Sequence, residues 1–390
     1  MRMRSTGVTT FLVAVGLAAT ATLAGTVRAR QQGPPAPEPM AGKTAGQYFK
    51  NIKVLNDVPA DQLRPSMSYI TVALGVRCDF CHNPRDFSSD EKHPKQTARS
   101  MMQMLFAIDK DNFHGRTTVT CYTCHQGHQR PTGVMTPAQL VQSGPAPSVA
   151  MPPAKPFQPP AGTPIPTLDQ ILAKYADALG GDAALAGLNS RVLEVERSGG
   201  RPGGPPITQQ VYEAAPNKVL IVSRFGTREF RTGYNGTQVW QGTPRGGRVL
   251  SGMEALLPPR EDPLNPVAAI QQYQGKRLVA MAQIGDEQAY VVMGRAPDGT
   301  PERLFFDAKT GFLVRRMWEY PTIFGPLLYQ ADYSDYRKQD GVAIPYQTTW
   351  WAGGFGWTDT VKSVETNVPV ASAQFEPPPP AAAPGPGGSR

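Results

Sequence analysis

The chain has 390 residues, with 39 lysines and arginines against 31 acidic residues, a formal net charge of +8 and a pI near 9.3. That length exceeds one typical core, so more than one domain is expected. No dense Lys/Arg run with interleaved aromatics occurs, which removes nucleic acid from the partners. The basic surface suits an acidic partner or an anionic membrane face instead.

The first residues, Met1-Arg2-Met3-Arg4, precede an apolar run from Phe11 to Gly25. A basic start followed by a short apolar stretch is the pattern of a secretory signal, expected over 1–29. Cleavage is expected after Ala29 or a small residue nearer Ala21. The alternative is an uncleaved anchor, for which the apolar run is short. No cysteine follows Leu23-Ala24-Gly25, so a lipoprotein anchor is not written there. A periplasmic or exported protein is therefore expected, soluble or held by its uncleaved N-terminal segment. Residues 30–44, with the Pro-rich piece from Gln31 to Met40, read as a linker.

Residues 45–142 read as a module of short helices. Tyr48, Phe49, Ile52 and Leu55 suggest one apolar face. Pro65 suits the first turn of a second helix, in which Met67, Ile70 and Leu74 share a face and which Gly75 ends. Thr97 to Asp109 predicts a further helix, with Met101, Leu105 and Ile108 spaced for one face. Asp111 to Thr120 reads as a polar loop.

Two copies of Cys-x-x-Cys-His follow these helices: Cys78-Asp79-Phe80-Cys81-His82 and Cys121-Tyr122-Thr123-Cys124-His125. They use all four cysteines of the chain. Two thiols three residues apart lie on one face of a helical turn and can bond the two vinyl groups of one porphyrin. The next histidine then falls beneath the iron as an axial ligand. Two covalently bound c-type haems are expected. A Cys₄ zinc centre would not explain a histidine after the second cysteine both times. Paired Cys-x-x-Cys disulfides are usually redox-active rather than structural. Met67, on the helix before the first motif, is a candidate ligand opposite His82; ordinary core filling is the alternative. Met101, Met102 and Met104 compete at the second haem. Helical geometry puts Met101 and Met104 on one face, with Met102 about 100° away. All five histidines, His82, His93, His114, His125 and His128, fall in this module. His93 and His128 read as solvated loop residues.

The run Ala98-Arg99-Ser100-Met101-Met102-Gln103-Met104, then Ala107-Ile108-Asp109 and Val119-Thr120-Cys121-Tyr122-Thr123-Cys124-His125-Gln126-Gly127, resembles the cytochrome c subunit of the photosynthetic reaction centre. The resemblance covers about residues 45–135. It reaches only one pair of haems where that family carries two. It implies Met67 as ligand of the first haem and selects Met101 for the second. In that family a histidine in the loop before the second motif serves a haem of the missing pair. His114 lies in a similar but shorter loop, so this role does not transfer; it reads as a surface residue or a rival axial ligand.

Residues 143–166 form a Pro-rich linker, and 377–390 a Pro/Gly-rich tail. Between them, 167–376 opens with a helix at Leu168–Leu179, then a short helical piece at 183–188. The rest reads as strands: 192–197, 219–223, 278–282, 289–293, 304–306, 312–318, 327–336 and 360–364. Asn235-Gly236, Asp298-Gly299 and Asp340-Gly341 mark turns. The fold class expected is therefore multidomain: an α-helical dihaem module, then an α+β module with a curved antiparallel sheet, an incomplete barrel, around a helix. The opening from Tyr175 to Gly181, with Tyr234-Asn235-Gly236, is similar to the lipoprotein-carrier fold, which implies shelter for an acyl chain. Trp240, Trp318, Trp350, Trp351 and Trp357 are candidates for a cavity lining, with plain core packing as the alternative.

The leading reading is a dihaem electron carrier, not an enzyme. Its implied partners are a membrane-associated redox protein and, at the C-terminal module, a lipid or other apolar ligand. A dihaem peroxidase or reductase with one open haem site, and an apolar-ligand carrier with a redox-sensing haem module, are the alternatives.

Overall fold

The computed structural model describes residues 40, 42–131, 151–199, 206–244, 246–252, 262–352 and 355–379. The expected signal peptide, residues 30–39 of the first linker, residues 143–150 of the second and residues 380–390 of the tail lie outside these. No helix among the described residues is long and apolar enough to cross a membrane.

The helical part contains α1 (Ala45–Tyr48), a 3₁₀ turn (Ala60–Gln62), α2 (Leu63–Leu74), α3 (Cys78–Cys81), α4 (His93–Phe113) and α5 (Cys121–His125). Helix α2 stops at Gly75, which adopts φ 63° and ψ 35° and returns its N–H to Thr71 and Val72. Its left-handed conformation is one that glycine takes without a Cβ penalty. Helix α4 is longer than the predicted 97–109. It opens with Pro94 in its first turn, where the missing N–H costs nothing, and closes at His114 in the left-handed region. Thus His93 starts a helix rather than sitting in a loop, and the polar loop begins after His114.

The second part is one antiparallel sheet. Its strands are β1 (Ala154–Phe157), β2 (Ser190–Gly199), β3 (Ile207–Ala214), β4 (Lys218–Phe225), β5 (Arg228–Tyr234), β6 (Val239–Thr243) and β7 (Gly246–Val249). They continue with β8 (Gln274–Ile284), β9 (Glu287–Arg295), β10 (Pro301–Asp307), β11 (Leu313–Thr322), β12 (Gly325–Gln339), β13 (Val342–Ala352) and β14 (Phe355–Thr366). The spatial order is β1-β8-β9-β10-β11-β12-β13-β14-β2-β3-β4-β5-β6-β7. The sheet therefore does not close, as expected, and β1 and β7 are its ends. Strand β1 comes from the segment expected to be pure linker: Ala154 pairs with Ile284 and Phe157 with Met281. Proline at 156 is tolerated there because an edge strand need not donate on its outer side.

Three helices lie with the sheet: α6 (Leu168–Leu179), α7 (Asp182–Ala186) and α8 (Pro266–Gln271). Helix α6 has the predicted bounds. Thr167 caps its N-terminus by accepting from Gln170 N–H, while the Gln170 side chain returns to the Thr167 N–H at 2.9 Å. Its end needs glycine, because a Cβ on Gly180 would lie 2.2 Å from the Gly341 carbonyl. Ile171, Leu172, Tyr175 and Leu179 face Leu304, Phe306, Leu313 and Ile344 in the main core.

The described residues pack as one compact unit. A second core joins the helices to the β11–β12 hairpin: Leu55, Tyr69, Ile70, Ala73, Met102 and Leu105 pack with Tyr320, Phe324 and Leu327. Phe324 occupies the two-residue turn between the paired Thr322 and Gly325. It is fully buried, with Phe106 stacked on it at 5.8 Å and Tyr69 at 6.4 Å.

Candidate haem-binding site

Each Cys-x-x-Cys motif folds into a single helical turn, as the spacing requires. In α3, Arg77 is extended before Cys78, and His82 follows as the last, extended residue, donating its N–H to the Cys78 carbonyl at 3.0 Å. In α5, Thr120 accepts from Thr123 N–H, and Thr123 Oγ1 accepts from Thr120 N–H at 3.0 Å, fixing the start of the turn. The chain then reverses at Gln126 in the left-handed region.

The two histidines share one hydrogen-bond arrangement. His82 Nδ1 lies 2.9 Å from the Phe87 carbonyl, and His125 Nδ1 lies 2.9 Å from the His128 carbonyl. A carbonyl can only accept, so each Nδ1 carries the proton and each Nε2 keeps its lone pair. This is the tautomer an axial ligand needs. Burial holds the His82 imidazole below its ordinary range, and Lys95, Arg99 and Lys92 add to the lowering, opposed by the Phe87 bond. His128, expected to be merely solvated, thus contributes through its backbone, which no side-chain pattern could announce.

All four cysteines are free thiols; Cys78 and Cys124 are exposed, Cys81 and Cys121 partly covered. Burial raises the Cys121 thiol to about 11 and also raises that of Cys81. Among the described residues no three His, Cys, Asp or Glu side chains converge as a metal cluster, so the four thiols do not meet in one Cys₄ centre.

The methionines divide as helical geometry dictates. Met67 is half-buried on α2, beside the face formed by Ser66, Tyr69, Ile70 and Ala73. That face packs on α5, where Gly127 donates to the Ala73 carbonyl at 2.9 Å and Tyr69 bonds Thr120. On α4, Met102 and Leu105 are buried, whereas Met101 is 42% and Met104 49% exposed. Met101 and Leu105, about 40° apart on the helix, lie on neighbouring positions of one stripe; the hairpin covers Leu105 and leaves Met101 exposed at the edge with Met104. Phe87, 56% exposed, and Tyr122, 45% exposed, add apolar surface in the same part of the chain. Paired thiols, an Nε2 left free and uncovered apolar surface are what a covalently held porphyrin requires, so the residues present fit the group.

The sheet carries no thiol and no histidine. Between its strands and α6 and α8 lies a cavity of about 680 Å³ whose lining includes Leu179, Leu193, Val211, Trp318, Trp350 and Trp357. Its arginines are paired: Arg191 with Glu213 at 2.6 Å, Arg197 with Asp359 at 2.7 Å and Arg316 with Glu302 at 2.7 Å. Trp240 does not line it; its indole donates to the Phe375 carbonyl at 2.6 Å in a separate small core.

Two Cys-x-x-Cys-His turns on a helical scaffold, each with a histidine Nε2 left free, are the arrangement by which c-type cytochromes hold haem. Residues 10–152 match the family described as the photosynthetic reaction centre cytochrome c subunit. The chain is 32% identical over 94 residues to that subunit from Thermochromatium tepidum, covering 23% of each chain. Over 95 residues it is 34% identical to the Rubrivivax gelatinosus subunit, covering 23% of this chain and 26% of that one. Cytochrome c-554 of Chloroflexus aurantiacus is 37% identical over 82 residues, 19% of this chain and 20% of its own. The chain thus spans less than a third of the curated relatives it matches. A LolA superfamily protein from Nitrosomonas europaea aligns with 54% of this chain and 98% of its own, at 14% identity and a TM-score of 0.39. A DUF1329 family protein from Desulfovibrio piger aligns with the same shares, at 14% identity and a TM-score of 0.42.

Proposed function

We propose that this protein is an exported dihaem c-type cytochrome that carries electrons between redox partners. The observation that carries the reading is the doubled turn in which two thiols precede a histidine whose Nδ1–H is taken by a backbone carbonyl. Each haem, when bound, supplies a one-electron ferrous/ferric couple. Cys78 and Cys81, and Cys121 and Cys124, would form the thioether links. His82 and His125 present Nε2 to the metal, and the Phe87 and His128 carbonyls hold the rings in orientation. Met67 and Met101 offer the sixth ligands, and a thioether in that position favours the ferrous state and raises the potential. With both sixth positions filled, catalysis at an open iron is not expected.

Protein matured in a haem-attaching host should give two haems per polypeptide by pyridine haemochrome titration and keep its colour after denaturation. Zinc without haem would overturn the reading. Rapid carbon monoxide binding by the reduced protein would favour the peroxidase or reductase alternative.

For the sheet we infer a second role as a docking or apolar-binding part. The cavity supports this: about 680 Å³ is within the range of small-molecule sites, and its lining is mainly apolar. Native mass spectrometry of protein isolated from its host tests the idea. A cavity that carries no apolar molecule and takes up no fluorescent fatty acid would leave docking alone.

A further inference from the structure

One cation is built into the support of the first histidine. Lys95, near the start of α4, is buried. Its ammonium donates to three consecutive carbonyls, Phe87 at 3.0 Å, Ser88 at 3.0 Å and Ser89 at 2.8 Å. The first of these is the carbonyl that accepts the His82 Nδ1–H. The Phe87 oxygen therefore serves two donors, one of them charged, which uses both of its lone pairs. The loop is pinned further by Arg99, which pairs with Asp90 at 2.9 Å and donates to the Asn51 carbonyl at 3.1 Å, while Asn51 donates to Ser88 at 2.6 Å. Lys95 also meets Asp90 at 3.1 Å. Lys95, Arg99 and Lys92, which acts on the same His82 ring, against Asp90 and Asp86, which also feels Lys95, leave this support at net +1. The partners of Lys95 all belong to the loop after the first motif; the second histidine rests instead on the His128 carbonyl after α5.

The geometry points to Lys95 as a positioning residue that raises the reduction potential of the first haem relative to the second. Two effects act in the same direction. A carbonyl polarised by an ammonium is a poorer acceptor, so it draws the Nδ1 proton less and leaves His82 a weaker electron donor. The uncompensated positive charge of the cluster disfavours the added charge of the ferric state, and burial limits its screening. With an effective dielectric near 20, a unit charge about 10 Å away corresponds to roughly a tenfold change in the ferric-to-ferrous ratio. For a one-electron couple a tenfold change is about 59 mV.

This inference rests on haem attachment at the first motif, and the experiment separates the two. Haemochrome titration and the presence of two waves in redox titration of the unaltered holoprotein test the attachment. A variant with Cys78 and Cys81 replaced by Ser retains only the second haem's wave and so identifies the first. Lys95→Met should then lower the first wave by about 59 mV, a tenfold change, and leave the second in place. Lys95→Arg, which keeps the charge, should restore most of the difference. Asp90→Asn, which leaves the cations less compensated, should move the first wave upward; it also serves if Lys95→Met fails to take up haem. An unmoved first wave, an equal fall in Lys95→Arg, or a fall in Asp90→Asn would overturn the assignment.

Discussion

In the sheet, Ile171, Tyr175, Leu304, Phe306 and Ile344 bury one another, and nothing from the helical part is needed to complete that core. In the helical part, Tyr69, Ile70, Met102 and Leu105 are covered only with the help of Tyr320, Phe324 and Leu327 from the β11–β12 hairpin. Its other side leaves Met101, Met104, Phe87 and Tyr122 at the surface. About ninety residues in which three of five α-helices have only four or five residues leave little apolar area to bury without such outside contacts. The difference teaches that the helical part draws on the hairpin and, under the proposed function, on attached haem, whereas the sheet core draws on neither.

Several outcomes would break or sharpen this contrast. The largest concerns haem attachment. With all four cysteines replaced by Ser, hydrogen exchange should lose protection across 45–131 while strands β8 to β13 keep theirs. Equal protection in both parts would refute the dependence.

Phe324→Ala comes next. Removing a fully buried ring that touches Phe106 and Tyr69 should cost about 3–5 kcal/mol and should perturb the haem spectra. Phe306→Ala, at a site 1% exposed and packed on Tyr175, should cost a similar ~3–5 kcal/mol in denaturant unfolding, yet leave those spectra unchanged. Similar spectral changes in both variants would erase the distinction between the two cores.

Changes at the candidate ligands should be local. Met67→Ala and Met101→Ala should each weaken the sulfur-to-iron charge-transfer band at the red edge of the visible spectrum and lower one potential. Met104→Ala should do neither. An effect at Met104 with none at Met101 would transfer the second ligand one turn along α4.

Acid should loosen the support of the first histidine before it affects the sheet core. Arg99, with Asn51 and Lys95, holds the Asp90 carboxyl well below the usual carboxylate range. A depressed folded value contributes stability that is present above the unfolded value, about 3.9, and is lost as pH falls through the folded one. The stability that Asp90 contributes should therefore be full above about pH 4 and fall progressively below it, read by acid unfolding at the first haem's spectrum, and Asp90→Asn should remove that part of the acid response.

The smallest effect is in thiol chemistry. Before haem is attached, alkylation at pH 8 should reach exposed Cys78 and Cys124 first and Cys121 last, since burial lifts the Cys121 thiol to about 11. Mass spectrometry of the alkylated apoprotein reads that order directly.

Local chemistry was legible along the chain wherever it is carried by neighbouring residues. The two Cys-x-x-Cys-His turns, the Gly75 stop, the bounds of α6 between Thr167 and Gly180, and the hairpin signals all follow from short-range geometry. Besides β1, the strands β3, β5, β6, β7 and β13 and the short helix α8 lie where polar and apolar residues do not alternate cleanly enough to stand apart from loops. The bulk of the open sheet was nevertheless expected.

Sequence alone determined the two Cys-x-x-Cys-His turns and the concentration of histidine and cysteine chemistry in one quarter of the chain, since short spacing is a local property. Tertiary structure decided what no window of sequence contains. It covered Leu105 and left its neighbour Met101 exposed, by bringing a hairpin more than 200 residues away against α4. It made a strand from the Pro-rich segment at Ala154–Phe157 by offering it the edge of β8. It also set Lys95 and His82 on the same carbonyl oxygen. Hydrogen bonds to backbone atoms depend on where the chain passes, not on which side chain it carries there, and only the folded chain fixes that.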